Sequence, residues 1–401
     1  MLCTLSLSAA YLASAALAVP TLVYCVQCVA GLLPDRAVHP RYSGPRPTVA
    51  IIVPAHNEEV VIAQTLASVR PQLRPGDRLL VVSDNCTDRT AALAAEGGAE
   101  VLERTDPVRR GKGYALDAGM RFLAASPRDH VMIIDADCEL DEGAIDHLVS
   151  MAAATGEPVQ GRNLMKAPCD APLETRVAEF AYLIKNMVRP VGMSRLGLPS
   201  PLMGTGMVLP WHIMNKADLA HGHITEDIKF SIDVTQEGHS PVFCPAYGIV
   251  SYFPRSSGGT FSQRQRWEGG HLKMVGTALM HFLKPSSIKT WPAFFLLLDR
   301  MVPPITLLFM MLAGLTLLTA LLAFAGAGSG PLAVSLSSLM FFLGTTFLVW
   351  VARGTQILPI SLVGAVPLFI LQRAGGYWKF ATTGLGRGWI RTERTKERDS
   401  F

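Results

Sequence analysis

Polar and apolar positions divide the chain into three regimes. From Leu5 to Leu33 no charged residue appears, a run longer than the about 20 apolar residues a helix needs to cross a bilayer. Between 47 and 170, short apolar runs alternate with helical patterns. "TVAIIVPA" (48–55), "DRLLVVSD" (77–84), "AEVLER" and "HVMIIDAD" (130–137) read as strands. "EEVVIAQTLASVR", "TDRTAALAAEGG" and "GKGYALDAGMRFLAAS" read as the helices between them. Strands separated by helices predict βαβ units and a parallel sheet. Long apolar runs return from Met301 to Ala325 and from Leu332 to Ala352. A shorter block, Gln356 to Leu371, carries Pro359 and Pro367 and reads as re-entrant or interfacial.

The first run is expected to be a retained anchor. A secretory signal would need a basic n-region and a shorter apolar core, and no Lys or Arg precedes Leu5. Arg36, Arg41 and Arg46 follow it, and a basic tail carries Arg387, Arg391, Arg394, Lys396 and Arg398. By the positive-inside rule the large middle segment is expected to be cytoplasmic. Composition agrees with membrane segments. Of 401 residues 17% are charged and 49% hydrophobic, with a mean hydropathy of +0.30, against roughly 25% charged in soluble domains. The net charge of +4 is mild. Its clustering near membrane ends favours anionic lipid over nucleic acid as a partner. Seven cysteines, including a Cys25/Cys28 pair inside the first apolar run, suggest no disulfide framework and fit a reducing compartment.

Three of the apolar strands end in polar residues: His56-Asn57-Glu58, Ser83-Asp84-Asn85 and Asp135-Ala136-Asp137. In open parallel sheets, ligands bind beyond the carboxyl ends of the strands, so all three ends are expected to face one crevice. Asp135 and Asp137 sit where the strand turns, and hard oxygen ligands suit Mg2+ or Mn2+. Asp84 is read either as a turn or cap residue or as a ligand group, with Thr87 or Asp88 available as the cap. Lys112, in "RRGKG", is read as a flexible basic turn able to approach a phosphate. "EFAYLIKNMVRPVG" (179–192) reads equally as an interface helix or as one packed on the core. His221 and His223 read as turn residues. In "ITEDIKFSIDV", Thr225 is a candidate helix cap, Glu226 and Asp227 lie where a helix dipole favours negative charge, and Asp233 reads as a solvated face residue.

The ordered set "IIVPAHNEE", "VVSDNCTDRT", "GKGYALDAG", "DADCE", "GTGMVL" (204–209), "ITED" (224–227) and "QRQRW" (263–267) resembles the motifs of family 2 inverting glycosyltransferases, in the membrane-bound branch of cellulose, chitin and hyaluronan synthases. The resemblance covers about 48 to 270. It implies an α/β, GT-A (Rossmann-like) domain with a mixed, mostly parallel sheet, together with transmembrane and interfacial helices. It implies that Pro54, His56, Asn57, Glu58, Asp84, Lys112 and Asp135 hold the nucleotide, and that Asp135 and Asp137 bind a divalent metal, Mg2+ or Mn2+. It makes Asp227 the general base. Glu226, Gln263, Arg266 and Trp267 would sit by the acceptor sugar and the diphosphate. Trp267, Gln263, Arg264 and Arg266 also read as interface anchors meeting lipid headgroups. His56 stands where a tyrosine is common in the family.

The expected organisation is an N-terminal transmembrane helix (1–34), a cytosolic transferase domain (47–270), amphipathic interface helices (271–300), transmembrane or re-entrant segments (301–372) and a basic tail (373–401). The expected activity is transfer from a nucleoside-diphosphate sugar, a UDP-sugar first, to a lipid-linked or membrane-proximal glycan in surface polysaccharide assembly at a bacterial inner membrane. A processive polysaccharide synthase that exports its product is the alternative. An inactive glycan-binding or export subunit is the third reading.

Overall fold

The computed structural model describes residues 2–34, 42–220, 226–254 and 275–370. One sheet of eight strands carries the fold, in the order β3-β2-β1-β4-β7-β6-β8-β5. The strands are β1 (Val49–Ala55), β2 (Arg78–Asp84), β3 (Glu100–Arg104), β4 (His130–Ile133), β5 (Glu139–Leu140), β6 (Val159–Lys166), β7 (Met207–Pro210) and β8 (Val242–Tyr252). β1 runs parallel to β2 and β4, and β2 parallel to β3. The first four strands therefore form the expected parallel half. β7 inserts antiparallel between β4 and β6, and β8 runs parallel to β6.

Alternate residues of the strands feed two cores, as a period of two requires. Val49, Ile51 and Val53 face the helices Ile62–Val69 and Ala144–Thr155. Ala50, Ile52, Leu80 and Val82 face the helix Lys112–Leu123 together with Met207, Leu209, Ile213, Met214, Phe230 and Val234. Gly119 lies within that second face, where an added Cβ would come to 3.1 Å from Val82 and 3.2 Å from Ile52.

Three helices are long and apolar enough to cross a membrane: Leu7–Leu32, Ile305–Phe324 and Gly330–Gly354. The proline-bearing block after them forms a short helix, Ile360–Val363, that stops before Gly364. Within the expected interface segment 271–300, the helix Trp291–Arg300 packs on the helix Glu226–Gln236, with Leu296 and Leu297 fully buried.

The segment 173–195 lies between the domain and the first long apolar helix. It is helical from Leu173 to Leu183, widens to a π turn at Ile184–Val188 and resumes from Arg189 to Arg195. Val177, Phe180, Ile184 and Val188 pack with Tyr24 and Cys28 of the first helix. Its apolar face thus meets that first helix, and Tyr182, Lys185 and Asn186 lie among its other positions. Its apolar residues are packed against another helix of the chain, as the core reading expected.

The contact with the first helix is close. A Cβ on Gly192 would lie 1.8 Å from the Gln27 carbonyl oxygen, and one on Gly31 would lie 2.2 Å from that of Val188. Small residues admit such backbone contact between helices. Beside it, Arg189 donates from NH2 to Asp299 Oδ1 at 2.7 Å and from Nε to Gln27 Oε1 at 2.7 Å. Gln27 Nε2 donates to Asp299 Oδ1 at 3.1 Å. All three residues are buried, and they join the spanning helix, the π-bulged segment and the helix ending at Arg300.

Candidate functional site

The parallel half brings the three polar strand ends to one edge. Asn57 and Asn85, just beyond β1 and β2, take φ of 56° and 53°. This left-handed region disfavours most side chains, but asparagine tolerates it. The two loops are clasped together. Asn57 Oδ1 accepts from the Thr87 backbone N–H at 2.7 Å, and the Glu58 N–H donates to Thr90 Oγ1 at 2.8 Å. His56 Nδ1 donates to the Asp84 carbonyl oxygen at 2.7 Å. Asp88, one of the two cap candidates, accepts from the Thr90 N–H at 3.0 Å.

Asp84 is buried and ion-paired with Arg104 at 2.5 Å, a partner the sequence did not suggest. The Asn85 side-chain amide donates to the same Asp84 oxygen, Oδ1. That carboxylate thus supports the loops of the crevice through Oδ1.

Lys112 is not in a flexible turn. It opens the helix Lys112–Leu123, and its Nζ lies 2.5 Å from Asp135 Oδ1 while donating to the Gly204 carbonyl at 2.9 Å. The Asp135 backbone N–H donates to Thr205 Oγ1 at 2.9 Å, and the Gly206 N–H donates to the Ile133 carbonyl at 2.8 Å. The antiparallel insertion of β7 therefore lays the "GTG" turn beside the Asp135-Ala136-Asp137 turn. Gly204 has φ +81°, and a Cβ there would meet the Asp227 Cβ at 3.2 Å and Lys112 Nζ at 3.3 Å. A cleft lined by Lys112, Leu116, Gly204, Met207, Asp227 and Phe230 lies at this point.

The electrostatics are those of crowded carboxylates. Burial pushes the Asp135 carboxyl above the usual range, Lys112 opposes this, and the charges of Asp137 and Asp227 add to it. The Cys138 thiol is pushed well up by burial and by Asp137 and Asp135. The Tyr182 hydroxyl, which donates to Asn163 Oδ1 at 3.2 Å, is pushed up by burial and then by Cys138, Asp137, Asp135 and Asp227. Tyr182 thus lies in the field of these carboxylates, and Lys185 in that of Asp227 and Asp299. Lys185 keeps solvent exposure, yet desolvation by the surrounding protein lowers its pKa to about 8, with Arg300 the next cause.

The residues present suit a divalent metal. Asp135, Asp137 and Asp227 act on one another with Lys112 as the near cation, and such crowding is relieved by a cation. Among the described residues no three His, Cys, Asp or Glu groups come together as a complete metal cage. Two carboxylates are what Mg2+ typically takes from a protein when substrate phosphates and water complete its shell.

Glu226 opens the helix Glu226–Gln236, and Asp233 pairs with Lys229 at 2.6 Å on its half-exposed side. Thr225, His221, His223, Gln263, Arg264, Arg266 and Trp267 lie outside the described residues. Arg104, Thr205, Tyr182 and Lys185 were missed by the sequence reading. Only Lys185 left a trace there, as a lone charge within an apolar stretch.

A mixed sheet with a nucleotide-type crevice at its parallel strand ends, fed by an acidic turn and a glycine turn, defines the GT-A class of glycosyltransferase folds. The profile described as "Glycosyltransferase like family 2" matches residues 45–270, more than half of the chain. The chain belongs to glycosyltransferase family 2. It is 28% identical over 256 residues to the probable glycosyltransferase YdaM of Bacillus subtilis, covering 59% of this chain and 58% of that protein. It is 40% identical over 97 residues to glucosyl-3-phosphoglycerate synthase of Mycobacterium tuberculosis, covering 22% and 29%. The chain thus spans little more than half the length of YdaM. The mannosyltransferase PcManGT of Pyrobaculum calidifontis, solved with GDP-Man and Mn2+, superposes with a TM-score of 0.54 at 19% identity, over 86% of this chain and 98% of that one. That likeness supports the GT-A fold.

Proposed function

We propose that this chain is a membrane-bound inverting glycosyltransferase. It moves a sugar from a nucleoside-diphosphate sugar to a lipid-linked or membrane-proximal glycan acceptor in surface polysaccharide assembly. One observation carries the reading. The Asp135–Lys112 pair and Asp227 meet across Gly204, so a donor-side acid cluster and a separate carboxylate face the same small volume.

In this reading the loops after β1 and β2, with Pro54, His56, Asn57, Glu58 and Asp84, hold the nucleotide. Asp135 and Asp137 hold Mg2+ or Mn2+, which when bound neutralises charge on the departing diphosphate. Lys112 fixes the Asp135 carboxylate and ties it to the glycine turn. Asp227 takes the proton of the acceptor hydroxyl as it attacks the anomeric carbon, a single displacement that needs one base. Glu226, Gln263, Arg266 and Trp267 complete the acceptor and diphosphate side, as the resemblance to cellulose-, chitin- and hyaluronan-synthase motifs implies. The positive-inside pattern supports a cytoplasmic domain in this reading.

The test is a panel of nucleotide sugars, UDP-sugars first and GDP-mannose second, given to membranes containing the protein with Mn2+ or with EDTA. The expected result is nucleoside-diphosphate release and one added sugar on a lipid fraction, both lost with EDTA. A ladder of polymer lengths would instead identify a processive synthase. No turnover with any donor, together with tight glycan binding, would reject the enzyme reading.

A further inference from the structure

Among the described residues, Lys185, Arg189 and Arg300 gather at one side of the crevice around Asp299. Lys185 lies on the π turn, between Ile184 and Asn186, and Ile184 packs against the first spanning helix. Among the described residues Lys185 makes no hydrogen bond or ion pair. Arg300 is buried at 4% exposure, and its Nε has no hydrogen-bond partner. Its contact with Asp299 Oδ2 is a loose 3.5 Å, because Asp299 Oδ1 is already engaged by Arg189 and Gln27. Lys185, Arg189 and Arg300 therefore share Asp299, with Asp227 beyond it. A buried guanidinium with an unmade bond, next to a second cation, favours a bound anion.

The position says which anion. Arg300 stands five residues before the spanning helix that begins at Ile305, and Gln27, which joins the same network, lies in the last turns of the first one. This is the level at which phosphates sit on amphiphiles in a bilayer. We propose that Lys185, with Arg300 behind it, forms an anion subsite that takes the phosphate of a lipid-linked acceptor. This inference rests on the transferase reading above and names the acceptor class within it. The subsite holds the phosphate while the acceptor hydroxyl lies towards Asp227. The π turn provides the geometry, since its extra residue directs Lys185 towards the crevice while Ile184 and Val188 remain on the apolar face; such bulges are common at functional sites.

The test uses full-length protein purified in neutral detergent, titrated with phytanyl phosphate, phytanol and inorganic phosphate, and with phosphatidylglycerol in nanodiscs. Phytanyl phosphate should bind about tenfold more tightly than phytanol or inorganic phosphate, the worth of one charge-assisted hydrogen bond. Lys185→Gln should remove that preference and Lys185→Arg should keep it. The groups facing Lys185 are Arg189 on its own segment, Asp299 and Arg300 on the helix Trp291–Arg300, and Asp227 on the helix Glu226–Gln236. With these around it, the preference of the wild type should weaken as the pH rises through about 8, where Lys185 loses its proton, and Lys185→Arg should flatten that profile. Equal affinity of wild type and Lys185→Gln for phytanyl phosphate overturns the subsite. Equal binding of inorganic phosphate, or equal competition by phosphatidylglycerol, overturns the acceptor assignment in favour of a free anion or a bulk headgroup. Binding of donor with Mn2+, measured on the same samples without lipid phosphate, reports separately on the transferase reading.

Discussion

Asp227→Asn is expected to abolish sugar transfer while leaving donor binding intact. A positioned general base contributes about a hundred- to ten-thousand-fold to such a step, and an amide of the same shape cannot take the proton. Asp227 lies beside Gly204 on the helix Glu226–Gln236 and not on the strand-end loops assigned to the donor, so those loops should remain as they are. The substitution also removes one negative charge from those acting on Asp135, so affinity for the anionic donor should hold or rise slightly, while metal affinity should hold or fall slightly. Calorimetry with the donor and Mn2+, beside transfer from labelled donor in membranes, separates the two effects. A folded variant that has lost donor binding would move Asp227 to the donor side of the crevice.

Arg189→Leu should be the most damaging change away from the reaction centre. It leaves Asp299 buried with its main counter-ion gone and Gln27 with an unmade bond. Removing one partner of a buried ion pair costs about 3–5 kcal/mol, whereas replacing both by apolar groups of similar volume is often neutral. The unfolding midpoint in detergent should therefore fall sharply for Arg189→Leu, and partly recover when Asp299→Leu is added. A single variant that melts with the wild type would show that the network contributes nothing to holding the spanning helix on the domain.

The parallel half was legible because each strand is a short apolar run closed by charged or amide residues. β1 and β2 were placed within a residue, and the strand read as ending at Asp137 stops at Ile133. The antiparallel half was not read as strands. β6, "VQGRNLMK", has a register shift at Gly161/Arg162, and β8, "VFCPAYGIVSY", is broken by Pro245 and Gly248. Neither keeps a clean alternation. Within the site, the acidic turn and Asp227 stood out by type and order along the chain. Lys112 was noticed but taken for a loop residue, since its bond to Asp135 exists only once β7 has brought Gly204 alongside. Tyr182 and Lys185 were hidden because the π turn shifts the helical period and so blurs the apolar face that packs on the first helix and the face turned from it.

The glycine contact between Gly31 and Val188, and between Gly192 and Gln27, has a consequence for how such an enzyme would meet its acceptors. Under the membrane-bound reading proposed above, backbone packed on backbone would leave the transferase domain little freedom to swing on its anchor. The crevice would then stay at one height, and an acceptor would be met by lateral drift in two dimensions rather than by reaching out in three. The same contact predicts that cutting the chain before residue 47 yields no soluble transferase, because Val177, Phe180, Ile184 and Val188 would lose the helix that covers them. Aggregation of that fragment, and not a monodisperse active domain, is what gel filtration should record.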